Sequence, residues 1–274
     1  MSRIITALIA LPVLIASILI ESLAPLFVAL AAAAMVLGLY EFWFLARKRE
    51  MKPDIVVGYA GAAALFTIFY FNAPELLTII LPLLVIAALV AAMLRGAPFD
   101  KMISSVGATV LGVLYVALLG GHLLAVRVGF RATLAAHLLS FFFLVIMGSD
   151  TGAYYTGKSL GRHKLAPTIS PGKTWEGAAG GMLASLLMAT LAHFWFFREL
   201  NLGVALGLAA LMNVLGVCGD LTESALKRGA GAKDAAHILP GHGGLLDRLD
   251  SLLFNAPVIY YFGIYYFGRL YFKQ

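Results

Sequence analysis

Nine stretches of this chain read as apolar runs long enough to matter to a membrane: 4–20, 24–45, 55–72, 75–94, 104–126, 132–149, 177–197, 202–219 and 252–270. A helix rises about 1.5 Å per residue, so roughly 20 residues cross the ~30 Å hydrocarbon layer of a bilayer. Inside that layer every backbone N–H and C=O must be satisfied within the protein, which leaves helices as the natural spanning element. Composition supports the reading, because 61% of the 274 residues are hydrophobic, 12% are charged and the mean hydropathy is +0.92. Soluble domains carry about 25% charged residues. The expected fold is an all-α polytopic membrane protein with about nine transmembrane helices.

The first run follows Arg3 and is longer than the ~7–15-residue core of a signal peptide; the ESLAP after it lacks a clear A-x-A site, so it reads as a retained span. With the N-terminus placed inside, fifteen of the twenty lysines and arginines fall on inside segments and five on outside ones. Cytoplasmic loops carry that excess, which gives an N-in, C-out expectation. The same bias accounts for the net charge of +6 without invoking nucleic acid as a partner. One cysteine, Cys218, excludes an internal disulfide and any multi-cysteine metal site, and its place in an apolar helix reads as packing. Residues 1–102 read as an N-terminal scaffold of about four helices, and residues 103–274 as a catalytic region.

Two inside segments, 148–176 and 220–251, are about thirty residues each and hold half of the fourteen carboxylates: Asp150, Glu176, Asp220, Glu223, Asp234, Asp247 and Asp250. Long ordered connections are usually functional. In the first, Gly152 to Ser159 satisfies the letters of a phosphate-binding P-loop, G-x-x-x-x-G-K-[ST]. A P-loop must follow a strand and open a helix. This one follows an apolar helix, so the match reads as a coincidence, although glycines and lysine still suit a phosphate. Ser170-Pro171-Gly172-Lys173-Thr174 offers the same chemistry again.

In the second segment, continuation of the eighth span as a helix would put Asp220, Glu223 and Ser224 on one face with Lys227 or Arg228, at spacings of three and four. Gly229 and Gly231 then break it, and Lys233-Asp234 follows. Pro240-Gly241-His242-Gly243-Gly244 reads as a turn that forms an anion-binding nest before a helix. Asp247 and Asp250 are three apart on that helix, oxygen ligands suited to Mg²⁺, which keeps one or two carboxylates plus substrate phosphates. The membrane resumes at Leu252, so these ionisable groups sit at its border, where they are costly and usually functional. A solvated loop that only sets topology explains lysines and arginines; it does not explain five carboxylates interleaved with four basic residues. For His242 two roles stand open, ordering the turn or acting in catalysis. His122, His137, His163 and His193 are scattered and take no role.

The segment Ser224-Ala-Leu-Lys227-Arg228, Lys233-Asp234, Leu239-Pro240-Gly-His242-Gly243-Gly244, Asp247-Arg248-Leu-Asp250 resembles the signature of the phosphatidate cytidylyltransferase (CDP-diacylglycerol synthase) family at every fixed position. Asp150-Thr-Gly-Ala-Tyr154 and Ser170-Pro171-Gly-Lys173-Thr174-Trp-Glu176-Gly177 extend the resemblance, which covers roughly 148–255; the first four spans resemble the family only in being hydrophobic. The resemblance implies CTP and phosphatidate as substrates, CDP-diacylglycerol and pyrophosphate as products, Mg²⁺ as cofactor, a cytoplasmic-side site in a bacterial inner or plasma membrane, and a possible homodimer. It implies Asp220 and Asp247 as metal ligands, with Asp250 as a further ligand or an orienter of Arg248. Lys227, Arg228, Lys233 and Arg248 would grip the phosphates, and Gly243 and Gly244 would offer backbone N–H groups. Ser170, Lys173 and Thr174 would close over the nucleotide, with Ser224 and His242 as further substrate-binding residues. A CTP-dependent lipid kinase is the nearest alternative, and a transporter the alternative of another class. Against the transporter, the ionisable residues gather at one border instead of the midplane, and no inverted repeat is visible.

Overall fold

The computed structural model describes residues 2–96, 99–232 and 244–268, and side chains from residue 10 onward. It is a helical bundle. In chain order the helices are α1 (Ser2–Leu19), α2 (Ala24–Arg47), α3 (Ile55–Tyr70), α4 (Leu77–Leu94), α5 (Met102–Gly112), α6 (Leu119–Gly129), α7 (Ala132–Leu160), α8 (Trp175–Trp195), α9 (Leu202–Gly229) and α10 (Leu246–Phe267). A π-helical turn, Val113–Leu118, joins α5 to α6 in one continuous rod. Six segments are long and apolar enough to cross a membrane: Glu21–Arg47, Pro74–Leu94, Phe99–Gly129, Ala132–Leu160, Trp175–Trp195 and Leu202–Gly229. Ile55–Tyr70 and Ala10–Leu19 are apolar but shorter. The outer faces of α8 and α9 carry exposed apolar side chains such as Leu183, Leu187 and Val214, the surface a hydrocarbon solvent calls for.

Polar residues mark the helix ends, as capping physics requires. Asp54 accepts the Val57 N–H at the start of α3 and pairs with Arg95 at 3.0 Å; Asn201 accepts the Gly203 and Val204 N–H groups at the start of α9. Pro25 occupies the first turn of α2, where its missing N–H costs nothing. Arg127, fully buried near the end of α6, donates to the Ser17 and Ile20 carbonyls at 3.1 and 3.3 Å and so caps the end of α1. A charge this deep persists because carbonyl oxygens receive it.

Two apolar clusters fill the bundle. One is built on α6, α7, α9 and the later part of α10, with Phe141, Phe142 and Leu208; the other on α2, α3 and the π-helical turn, with Trp43, Leu65 and Val113. Helix α10 belongs to both, through Ile259 in the first and Leu246 and Leu253 in the second. It thereby ties the N-terminal helices to the residues of the second polar segment.

Three sequence expectations are corrected. The span expected to end at 149 continues to Leu160, because the polar residues after Asp150 stay helical against α8: Gly152 lets the helices approach so closely that a Cβ there would lie 2.4 Å from the Ala184 Cβ. A short hairpin, β1 (Lys164–Ala166) with β2 (Ser170–Thr174), interrupts an otherwise helical chain. Cys218 is exposed on the outside of α9 and not packed in the interior.

Candidate active site

The hairpin carries the first half of the site. Its strands are antiparallel, with Lys164 opposite Thr174 and Ala166 opposite Ser170. Strand β2 runs straight into α8, where the Thr174 hydroxyl accepts the Gly177 N–H at 3.1 Å as the N-cap. Two residues on, Glu176 accepts from the Arg162 N–H at 3.1 Å and contacts His163 Nδ1 at 2.6 Å, closing the loop end onto the helix. Lys173 is therefore held one residue before a fixed helix start. Its ammonium reaches across to Asp220 on α9, 2.5 Å away.

The helical continuation of α9 past residue 219 puts Asp220, Glu223, Ser224 and Lys227 along one face, as their spacing anticipated. Ser224 Oγ lies 3.5 Å from Asp220 Oδ1. Lys227 Nζ sits 2.5 Å from Glu223 Oε2 and also pairs with Asp247, the second residue of α10. Glu223 is fully buried, and the Lys227 and Asp247 side chains are mostly so. Burial raises the cost of charging Asp247, yet hydrogen bonds from Glu223 and Lys227 and the Gly244 N–H at 3.0 Å hold its carboxyl below the ordinary range.

Asp250 is buried one turn further along α10, with Oδ1 receiving the Ser251 N–H at 2.6 Å. Burial, and then the Asp220 and Asp150 charges, push its carboxyl up to about 7. Helices α9 and α10 cross closely here, because a Cβ at Gly219 would lie 2.5 Å from the Asp250 carbonyl oxygen. Between α7, the hairpin, α8 and α9 lies a cavity of about 360 Å³, lined among others by Asp150, Tyr154, Lys173, Thr174 and Asp220.

The sequence-predicted residues thus separate into groups. Lys173, Asp220, Ser224, Lys227, Asp247 and Asp250 come together where α9, α10 and the hairpin meet. Arg228 donates to the Ile169 carbonyl at 3.3 Å, tying the end of α9 to the hairpin, and Arg248 is exposed on α10. Ser170 is half-buried at the start of β2, and Gly244 donates to Asp247. Lys233, His242 and Gly243 lie outside the described residues. The P-loop letters 152–159 are interior to α7, where their N–H groups serve the helix, so they form no phosphate cradle. Sequence reasoning missed Glu41. This buried carboxylate of α2 accepts the Leu245 and Leu246 N–H groups at 2.8 and 2.7 Å, and the signal for it was a lone acid inside an apolar run.

Asp150, Asp220, Glu223, Asp247 and Asp250 outnumber the two lysines that compensate them. Among the described residues no three ligating side chains close on a common point. The donor set fits a hard divalent cation only in the form in which two carboxylates share it with substrate phosphates.

This helical protein gathers paired lysines and carboxylates where α9, α10 and the hairpin meet, beside a cavity, which is the build of a membrane enzyme. Residues 1–266 match the cytidylyltransferase family, and the chain belongs to it. Among curated proteins it is similar to phosphatidate cytidylyltransferases of Staphylococcus aureus strain COL, 44% identical over 123 residues, and of Bacillus subtilis strain 168, 48% identical over 118 residues. The Haemophilus influenzae protein of the same name is 42% identical over 129 residues. These matches take in 43–46% of this chain and 44–47% of each relative, so the chain spans about half the length of the curated relatives it matches.

Proposed function

We propose that this protein is a phosphatidate cytidylyltransferase, which joins CTP to phosphatidate and releases pyrophosphate. The observation that carries the reading is the junction of α9 and α10, where Lys227 bridges Glu223 and Asp247 while Lys173 holds Asp220. Each lysine is stored against a carboxylate, ready to exchange it for a phosphate oxygen. In the reaction an oxygen of the lipid phosphate attacks the α-phosphorus of CTP, and the bond to the β-phosphate oxygen breaks with its electron pair leaving on pyrophosphate. The nucleophile is a phosphate monoester with a second pKa of about 6, so it arrives largely ionised and needs no dedicated base. Catalysis is then positioning and charge neutralisation.

Lys173 and Lys227 neutralise the triphosphate, with Arg228, Arg248 and Lys233 as further cationic groups for it or for the lipid phosphate. Ser170, Thr174 and Ser224 border the nucleotide, and His242, Gly243 and Gly244 are further substrate-binding residues. Asp220 and Asp247 would hold Mg²⁺, with Asp250 beside them; bound there, it would offset charge on the phosphates. CTP is a cytosolic solute and phosphatidate lies in the leaflet, so the site belongs at the cytosolic border of an inner or plasma membrane. The charge bias that puts the N-terminus inside supports the same orientation.

The test uses purified protein in detergent with phosphatidate, Mg²⁺ and CTP labelled at either the α- or the γ-phosphorus. Label entering the lipid from the α position, with γ-label released as pyrophosphate, is the expected result. Entry from the γ position would make the protein a lipid kinase. No transfer from either position by well-folded protein would return the transporter reading. Asp247→Asn should lose turnover by at least about 100-fold while still folding, in line with removal of a charge-stabilising group; near-normal turnover would remove the metal role.

A further inference from the structure

The start of α10 has no cap of its own: the residue before it is Leu245, whose side chain offers no acceptor. A helix start leaves several N–H groups unsatisfied, and burying them without partners is costly. Here the acceptors come from the other half of the chain. Both carboxylate oxygens of Glu41 are used, Oε1 on the Leu245 N–H at 2.8 Å and Oε2 on the Leu246 N–H at 2.7 Å. Glu41 is fully buried, so no water competes for these bonds, and its negative charge lies at the positive end of the α10 dipole. Two bonds from one planar group fix direction as well as distance. The next residue is Asp247, which pairs with Lys227, and Arg248 follows. Glu41 thus anchors the start of the helix from α2, outside the catalytic half.

We propose that Glu41 is a positioning residue for the reaction: its carboxylate, carried by the N-terminal half, sets the start of α10 and through it the aim of Asp247 and Arg248. This rests on the functional reading above. Misplacing a reacting group by about 1 Å can cost on the order of 100-fold in rate, and nothing else described holds these two amides.

The test compares wild type, Glu41→Gln and Leu65→Ala, all full length in detergent. Glutamine keeps the shape but turns one acceptor into a donor that faces an N–H. Leu65 is buried on α3 and makes none of the hydrogen bonds at the start of α10, so its truncation reports on lost packing. Glu41→Gln is expected to speed amide exchange selectively at 245–250 and to lower kcat by about 100-fold with KM for CTP unchanged. Leu65→Ala is expected to lower the thermal midpoint with kcat kept. Retained protection at 245–250, or a kcat that merely follows the midpoint in both variants, would overturn the proposal. An inactive wild type would overturn the functional reading and this proposal with it, whereas an active wild type beside an equally active Glu41→Gln would overturn the proposal alone.

Discussion

Lys227 stands between two carboxylates that have little water around them. Replacing it with methionine keeps most of the volume and removes the charge, leaving the Asp247 carboxylate with no cation beside it. Breaking a buried ion pair from one side costs about 3–5 kcal/mol, so Lys227→Met should lower thermal stability by that order as well as abolish turnover. A stable but inactive variant would mean that the carboxylates relax into water. Asp250 gives a pH-dependent case. Its folded-state value is raised to about 7 by burial and by Asp220, against about 4 in an unfolded chain. The folded state therefore favours the protonated acid, and the penalty for charging it grows as pH rises from about 4 to about 7 and is complete above that. Asp250→Asn should accordingly raise the thermal midpoint near pH 8 and leave it unchanged near pH 4; a gain independent of pH would contradict this origin. Most of these residues were legible as a charged cluster, because their spacing on one helix is a local property. Glu41 was not, because its partners lie 204 and 205 residues away and only the folded chain brings them together.

Helix α9 continues past the expected span end at 219 to Gly229, the continuation that the spacing of three and four in its charged residues allows. The expected end of α7 at 149 falls short for the converse reason. Its last turns carry Thr, Gly, Lys and Ser, a loop-like composition, and they stay helical only because α8 packs against Gly152 and Gly157. The hairpin strands have three and five residues, too few for an alternating pattern to emerge. The α9–α10 crossing can be tested at Gly219. A methyl there meets the Asp250 carbonyl at 2.5 Å, closer than packing allows, so Gly219→Ala should cost about 1–3 kcal/mol and reduce turnover by shifting α10. Gly207→Ala on the same helix has open space and should instead stabilise by up to about 1 kcal/mol through helix propensity. Equal thermal midpoints for the two variants would show that the crossing is soft.

Charge counting along the sequence gives an expected orientation of the bundle, with the N-terminus inside. It predicts that, in a Cys218→Ala background, single cysteines from Lys52→Cys and Lys164→Cys react with an impermeant thiol reagent only from the cytosolic side. Glu21→Cys and Arg198→Cys should react only from the opposite side. The reverse pattern would invert the topology and move the site away from cytosolic CTP. Arg127 also constrains how such a chain can be made. It is synthesised 110 residues after the Ser17 carbonyl it receives and 107 after that of Ile20. At about 5–20 residues per second, the first helix waits in the membrane for roughly 5–20 s before its end is closed. During that interval its last turn must be satisfied by interfacial water, and the end of α1 is closed only once Arg127 has been made.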